Sequence, residues 1–557
     1  MVVIAGENTE PTLWNGTVTI WNVQATSFQY TMSAAPFYPN GSGAITAAKV
    51  TGTRFDEVMA GIAASTALSA MLILLGPNPF GNSYLTAGYT EGGSNPWQIK
   101  ARMKLAGSGR EVTVIKRINA AAGGYVLGHD LTTAVDHFEL SDLTLDCNLT
   151  GAAPTGATTG AVRAMGDHVR LSRVRAKAWG CAASNGTCQV FALILANPPA
   201  VPMVSNCGME GCIADAPAKL TGTPANAGTV TMFHAGASSV PTGAQAEGYA
   251  LSPYIRNCFG QWDVTITGTQ ARGLSMNWCR GGVVEGNHIY DADYGGPYPG
   301  SGTTLDLIVR NNFFKNVKHG MNWPQGGFVP SSPISITTIA KDTVDNTMAK
   351  VVTGAAHNFQ VGERVKVTPT DTNASAFTGY FVVAAIDAAD DKVFKFRLPV
   401  SNPNNPTPTT GTVQKVFSVG RVIIEGNIIE LRQGISNQRA IQASDNASSA
   451  PAYDYVYGDV IIRNNKLRYV DGATPTDSGA TLIEVQGVKN VIIQNNVLDT
   501  IATAPLTDAR CANATYFNNR TPAGVLVQGK NNDSGRKYDE LETDAEDAFV
   551  MGFIKRA

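Results

Sequence analysis

The sequence is poor in charge. Charged residues make up 15% of its 557, and 42 Lys+Arg against 44 Asp+Glu leave a formal net charge of −2. That scarcity argues against a nucleic-acid binder held by bulk charge, because no attractive field for phosphate builds up. A long coiled coil is excluded as well, since it needs far more Glu, Lys, Arg and Leu. The eight cysteines contain no CxxC pair, which argues against zinc, and no metal or other cofactor is expected. The opening MVVIAGENTE shows neither a basic n-region nor a cleavable apolar core, so no secretion signal is visible there. One uncharged run, Val58 to Gly76, has 19 residues, the length of a membrane span. Its first half is Ala, Gly, Ser and Thr, and MLILLG then reads as a buried strand stopped at Gly76-Pro77, so no span is expected. Disorder is excluded by 43% hydrophobic content at almost no net charge.

What the chain has instead is turn-forming residues, with 57 glycines and many Asn and Thr, arranged in a repeat. Two or three apolar residues, a polar residue, Asn or Gly, and Asn recur in VVEGNHI from Val283, LIVRNNFF from Leu307, VIIEGNII from Val422, VIIRNNKL from Val460 and VIIQNNVL from Val491. Weaker copies are VSNC from Val204 and YIRNC from Tyr254. Each reads as a short strand ended by a turn, because Asn tolerates left-handed backbone. Asn257 to Asn287 is 30 residues, Asn287 to Asn312 is 25, and Asn465 to Asn496 is 31. A unit of this size cannot bury its own apolar face and must stack on its neighbours. Without an intervening helical pattern, the stack is a coil of parallel β-rungs. The expected fold is therefore all-β.

Asn312 to Asn427 breaks the spacing at 115, and residues 331–418 supply the excess. They read as an inserted small β module. Val2 to Gly16 aligns without a gap to Val365 to Gly379, Trp14 falling on Phe377, and TVTI then falls on YFVV. Phe28-Gln29-Tyr30 matches Phe394-Lys395-Phe396, and each copy ends at a glycine, Gly43 and Gly411. The earlier strand Val351-Val352-Thr353 has no counterpart before Met1, so residues 1–50 are expected to be a partial copy, with the chain starting inside a module.

In a parallel coil, equivalent positions of successive rungs lie about 4.8 Å apart. The residues two before the turn asparagines, Glu285, Arg310, Glu425, Arg463 and Gln494, alternate in sign and fix register. The asparagines themselves would form a ladder at one corner, a scaffold feature. Shifting by 25 places Tyr294 over His319, Tyr298 over Trp323 and Asp293 over Lys318. Aromatics outside the core strand make a platform for sugar faces, so His288, Tyr290, Tyr294, Tyr298, Lys318 and Trp323 are candidate carbohydrate contacts. Asp291 and Asp293, in HIYDADYGG, with His319 are candidate catalytic groups, because paired carboxylates beside a histidine can perform acid–base work on a glycosidic bond or uronic acid. The alternative for the same residues is an ordinary loop in which Asp caps a turn. Cys181/Cys188 and Cys207/Cys212 are spaced for loop disulfides outside the cell, with buried free thiols as the alternative.

TRFDEVMAGIAASTALSAMLILLGPNPF (53–80) resembles the start of pectate-lyase-superfamily right-handed β-helices, where a short helix caps the coil before the first strand. IKARMKLAGSGREVTVIKR (99–117) and FELSDLTLDCN (138–148) look like the next rungs. The likeness covers about 50–330 and 419–530, and it implies a right-handed parallel β-helix at 51–330 and 419–535. Within that superfamily the mixture looks most like bacteriophage tailspikes and tail fibres. That resemblance implies a homotrimer in a virion tail or outside the cell that binds, and in many cases cleaves, bacterial surface polysaccharide. It also implies contact with other tail proteins through a region before Met1. The Asn-Thr-Asp, Asp-Asp and Arg-Ile-Lys set of polygalacturonases is absent, and His319-Gly320 is half of their Gly-His-Gly element. No calcium-binding Asp cluster of the pectate-lyase kind is found, so no catalytic residue transfers by motif. A secreted polysaccharide lyase, hydrolase or epimerase, and a non-catalytic fibre or adhesin shaft, are the competing readings. Residues 536–557 carry acids first and Lys555-Arg556 last, with Leu541, Ala545, Ala548, Phe549 and Phe553 at helical spacing, so a short C-terminal helix is expected.

Overall fold

The computed structural model describes residues 55–64, residues 71–531 with gaps in the connecting loops, and five short strands within 2–48. The expected helix at 536–557 lies outside the described residues. The main body is a right-handed parallel β-helix with three sheets along its length. The first sheet holds 12 parallel strands, from Met71–Leu75 to Asn513–Phe517, and the second holds 11, from Tyr84–Thr86 to Val497–Leu498. The third is broken into a seven-stranded part ending at Tyr294–Pro297 and a five-stranded part beginning at Met321–Trp323. Backbone bonds from Gly295 and Gly296 to the carbonyls of His319 and Gly320 bridge the break.

Alternation builds the coil. In Val283–Glu285 the middle residue is buried and its neighbours face outward, and the same holds in Tyr254–Arg256 and His288–Tyr290. Inward residues stack in file: Ile255 on Val284, Val284 on Val309, Val309 on Ile424, Ile424 on Ile462 and Ile462 on Ile493. A helix, Phe55–Ala64, closes the first rung with Phe55, Met59 and Ile62. Phe55 meets the rings of Tyr84 at 5.9 Å and Trp97 at 5.7 Å. Asp56 ties it down, accepting from the Trp97 Nε1–H at 2.9 Å and the Ala87 N–H at 2.6 Å. Of the uncharged run at 58–76, residues 58–64 belong to this helix and 71–75 to a strand, and among the described residues no helix is long and apolar enough to cross a membrane.

The corner between the first and second sheets carries the amide ladder. Asn287, Asn312, Asn427, Asn465, Asn496 and Asn519 are each at most 2% exposed. From Asn312 onward, each Oδ1 accepts both the backbone N–H and the Nδ2–H of the asparagine one rung earlier, as Asn465 Oδ1 does from Asn427 at 2.9 Å. The residue before each rung's asparagine holds the left-handed conformation, with φ between 50° and 65° at Gly286, Asn311, Gly426, Asn464, Asn495 and Asn518. Turn and ladder are therefore two neighbouring positions. This corrects one register: Asn257, with φ 52°, belongs to the turn column, and Cys258 takes the ladder place, its N–H donating to Asn287 Oδ1 at 2.9 Å. The charge column holds, with Arg310–Glu285 at 2.8 Å and Arg463–Glu425 at 2.6 Å. All eight cysteines are buried; burial raises the thiol pKa of Cys207 to about 12 and that of Cys147 well above its usual value.

Leu307–Arg310 pairs directly with Val422–Glu425, so the coil continues in register across the intervening chain. That chain, from Ile334 to Val416, closes a barrel of six antiparallel strands around Phe377, Phe394, Phe396, Val365, Val367 and Val413. Near the start of the chain, Val2 pairs with Val18 and Val3 with Thr17, and in the barrel Val365 pairs with Phe381 and Lys366 with Tyr380. The offset of 363 residues is the same for both members of each pair. At the closing strand Val3 pairs with Ala48 and Lys366 with Gln414, an offset of 366 that leaves Gly43 out of line with Gly411.

Candidate functional site

The predicted site residues gather where one rung leaves the second sheet and enters the third. His288–Tyr290 is the strand of the second sheet, Asp291, Ala292 and Asp293 make the corner, and Tyr294–Pro297 opens the third sheet. Ala292 is fully buried and anchors the corner, with Asp291 and Asp293 half-buried on either side of it. Asp291 has φ 64° and Asn316, one rung on, has φ 53°. A register shift after Phe314, opposite Ile429, produces the second bend and aims Asn316 at Asp291.

Both carboxylates are engaged inside the corner. Asp291 Oδ1 accepts from Asn316 Nδ2–H at 2.5 Å, and Asp293 Oδ2 accepts the Ala271 N–H at 2.8 Å. Arg432, one rung further and absent from the sequence reading, spans them. Its guanidinium donates to the carbonyls of Asn316 at 3.2 Å, Ala292 at 3.3 Å and Asp291, and lies 3.9 Å from Asp293 Oδ1. Tyr294 stacks on His319 with ring centroids 5.0 Å apart and planes at 17°. His319 is buried, and its Nδ1 accepts the Arg439 N–H at 3.3 Å. Burial first, then the positive charges of Lys318 and Arg439, push its pKa down to about 4, so it is neutral at pH 7. Arg439 is in turn paired with Glu484.

On the other side of the corner, the outer face of the second sheet carries rings. His288 lies beside Phe259 and Phe313 in adjacent rungs, and Tyr290 lies beside Gln261 and Lys315. Tyr290 meets Phe259 edge-on at 5.2 Å and Phe313 edge-on at 5.8 Å, and Phe313 meets His288 edge-on at 5.9 Å. Phe259 and Phe313 had no signal beyond ordinary strand composition. Their outward direction follows from register with the predicted His288, and period-two alternation counted from the buried Ile289 finds them. Tyr290 and Tyr294 therefore flank one corner as parts of a continuous surface, with Lys318 between the two sheets. Trp323 lies in the strand Met321–Trp323, but its side chain and all of Tyr298 fall outside the described residues, so the pairing expected of them is not described. Among the described residues no group of three His, Cys, Asp or Glu has the geometry of a metal site.

The fold defines the class: a right-handed parallel β-helix. No protein-family profile matches the sequence, and no curated protein does. Solved structures match by shape. The A-module of an Azotobacter vinelandii mannuronan C-5 epimerase matches over 88% of this chain and 95% of its own, at 12% identity and a TM-score of 0.39. The Streptococcus pneumoniae surface protein and adhesin PfbA matches over 85% and 93%, at 12% identity and a TM-score of 0.43. The tailspike protein of E. coli bacteriophage HK620, solved with a pentasaccharide, matches over 86% and 68%, at 14% identity and a TM-score of 0.40. At such identities the likeness is one of fold.

Proposed function

We propose that this protein is a tailspike- or tail-fibre-type β-helix, working at a virion tail or outside a cell, that binds bacterial surface polysaccharide. The observation that carries this reading is the ring array of Phe259, His288, Tyr290 and Phe313 on a solvent-facing sheet. Elsewhere the same face carries charged residues, such as Arg175, Lys177, Lys466 and Arg468. Phe259, Tyr290 and Phe313 are half-buried and His288 is exposed, so rings that a core would normally take lie on an outward face, and a contiguous outward patch of rings suits a binding surface. Rungs spaced about 4.8 Å apart offer a rigid track for an extended, repeating ligand.

The test is retention on immobilised polysaccharide. Tyr290→Ala and Phe313→Ala should each weaken binding about tenfold while leaving the far-ultraviolet circular dichroism unchanged. Unchanged retention in both variants would remove the site. Cleavage is a separate proposal, assigned to Asp291, Asp293 and His319. Release of reducing or unsaturated ends that stops in Asp291→Ala and Asp293→Ala supports it, and activity surviving both sinks it. The homotrimer belongs to the same reading, and a monomer by light scattering would end it. An outward column of Val283, Ile308, Ile423, Ile461 and Ile492 on the first sheet is apolar surface that packing between copies would cover.

A further inference from the structure

The ring array has a charged border of one sign. Lys315 lies beside Tyr290 in the next rung, and both point outward. Lys466 lies two rungs beyond Phe313 in the His288 column, above Ile428, and is exposed. Lys318 follows the second bend, between the ring array and Tyr294, and is half-buried. Among the described residues none of these three lysines has a carboxylate within ion-pair distance. The acids of the same region are all occupied. Asp291 is held by Asn316, Asp293 by Ala271 and Arg432, Glu430 by Arg468, and Glu484 by Arg439 and Gln442. A chain that is nearly neutral overall therefore places three free ammonium groups around this ring cluster. Two rung steps are about 10 Å, so Lys466 is within reach of a ligand lying on Phe313.

We propose that the ligand of this surface is an acidic polysaccharide, its sugar faces on Tyr290, Phe313 and His288 and its carboxylate, sulfate or phosphate groups on Lys315, Lys318 and Lys466. This rests on the polysaccharide reading above and adds the ligand's charge. Neutral glycans would use the rings alone, and leaving three cations unpaired around them gives no advantage. An anionic chain gains from each lysine, modestly at an exposed site and less as salt rises.

The experiment is binding of the full chain to a printed array of acidic and neutral bacterial polysaccharides, with oligothymidylate as a polyanion lacking the glycan. The bound polysaccharides are then retested after carboxyl reduction. The expected result is that the bound polymers are acidic and lose binding on reduction. The triple variant Lys315→Gln, Lys318→Gln, Lys466→Gln should lose about tenfold in affinity and most of the salt dependence. Neutral polymers bound equally well, or a triple variant as tight as the parent, overturn the inference while Tyr290→Ala still weakens binding and the polysaccharide reading stands. If no polysaccharide binds, or oligothymidylate binds more tightly than any of them, both fall.

Discussion

Replacing Asn465 by alanine should cut deep into the stability of the rungs around it. Its Oδ1 accepts the Asn427 N–H and Nδ2–H, each at 2.9 Å. Its Nδ2 donates to the Ile424 carbonyl and to Asn496 Oδ1, each at 3.0 Å. Asn465→Ala leaves both Asn427 donors buried without an acceptor, at about 1–3 kcal/mol each, and forfeits two further bonds worth about 1 kcal/mol each. The expected loss is on the order of 4–8 kcal/mol. The control sits next door. Asn464 is exposed with φ 57°, and glycine already fills the equivalent place at Gly286 and Gly426. Asn464→Gly should therefore stay within about 0.5 kcal/mol of the parent. Urea unfolding followed by circular dichroism gives the difference. Hydrogen exchange should locate the damage in the rungs at 419–470, since rungs touch only their neighbours. If Asn465→Ala loses no more than Asn464→Gly, the amides are not what holds the corner and the reasoning fails.

Other outcomes are expected together. Acid should destabilise the protein progressively between pH 6.5 and about 4, because His129, His234 and His319 are each held near 4 by burial. The unfolded chain then binds more protons than the folded one throughout that window, so stability rises with pH and is fully present above it; a flat unfolding midpoint from pH 4 to 7 would contradict this. Arg432→Met should loosen the corner by about 3 kcal/mol or more, since it frees three carbonyls and strips Asp293 of its cation; raised exchange at Asp291 and Lys318 is the readout, and unchanged protection would refute it. We propose that the barrel of Ile334–Val416 is an autonomous domain with its own core. Expressed alone it should unfold cooperatively, and the chain lacking 331–418 should keep the spectrum of a β-helix; loss of both would contradict the assignment. The eight thiols should resist a water-soluble disulfide reagent until urea is added, and fast labelling in the native state would refute their burial.

The fold was legible because its repeat is written in side chains that do one job. Asparagine in a buried corner and alternating charge beside it leave a mark every rung, and both columns are present as read. Where the ladder asparagine becomes Cys258, the mark failed and the register slipped by one, because Asn257 supplies the left-handed turn in its place. The stack of Tyr294 on His319 was visible from spacing. Arg432 was not, because its carbonyl partners near Asp291 lie 141 residues away in sequence and meet it only after the insertion is looped out. Phe259 and Phe313 were hidden for another reason: a phenylalanine in a strand looks the same whether it faces core or water until the register is fixed.

The barrel also bears on how the coil is assembled. A rung that docks on its predecessor closes a loop of about 30 residues elsewhere in the chain, but from Asn312 to Asn427 the separation is 115. Closing the longer loop costs about 1 kcal/mol more in chain entropy, so a front of rungs adding one by one would stall at this junction. The barrel removes the obstacle if it folds first. Its first and last strands lie side by side, Ile334 paired with Val413, so a finished barrel returns the chain to within one strand spacing of where it left. It then works as a clasp, turning the longest crossing in the molecule into a short one, and deletion or unfolding of the barrel should show as a change in refolding rate before any change in the finished coil.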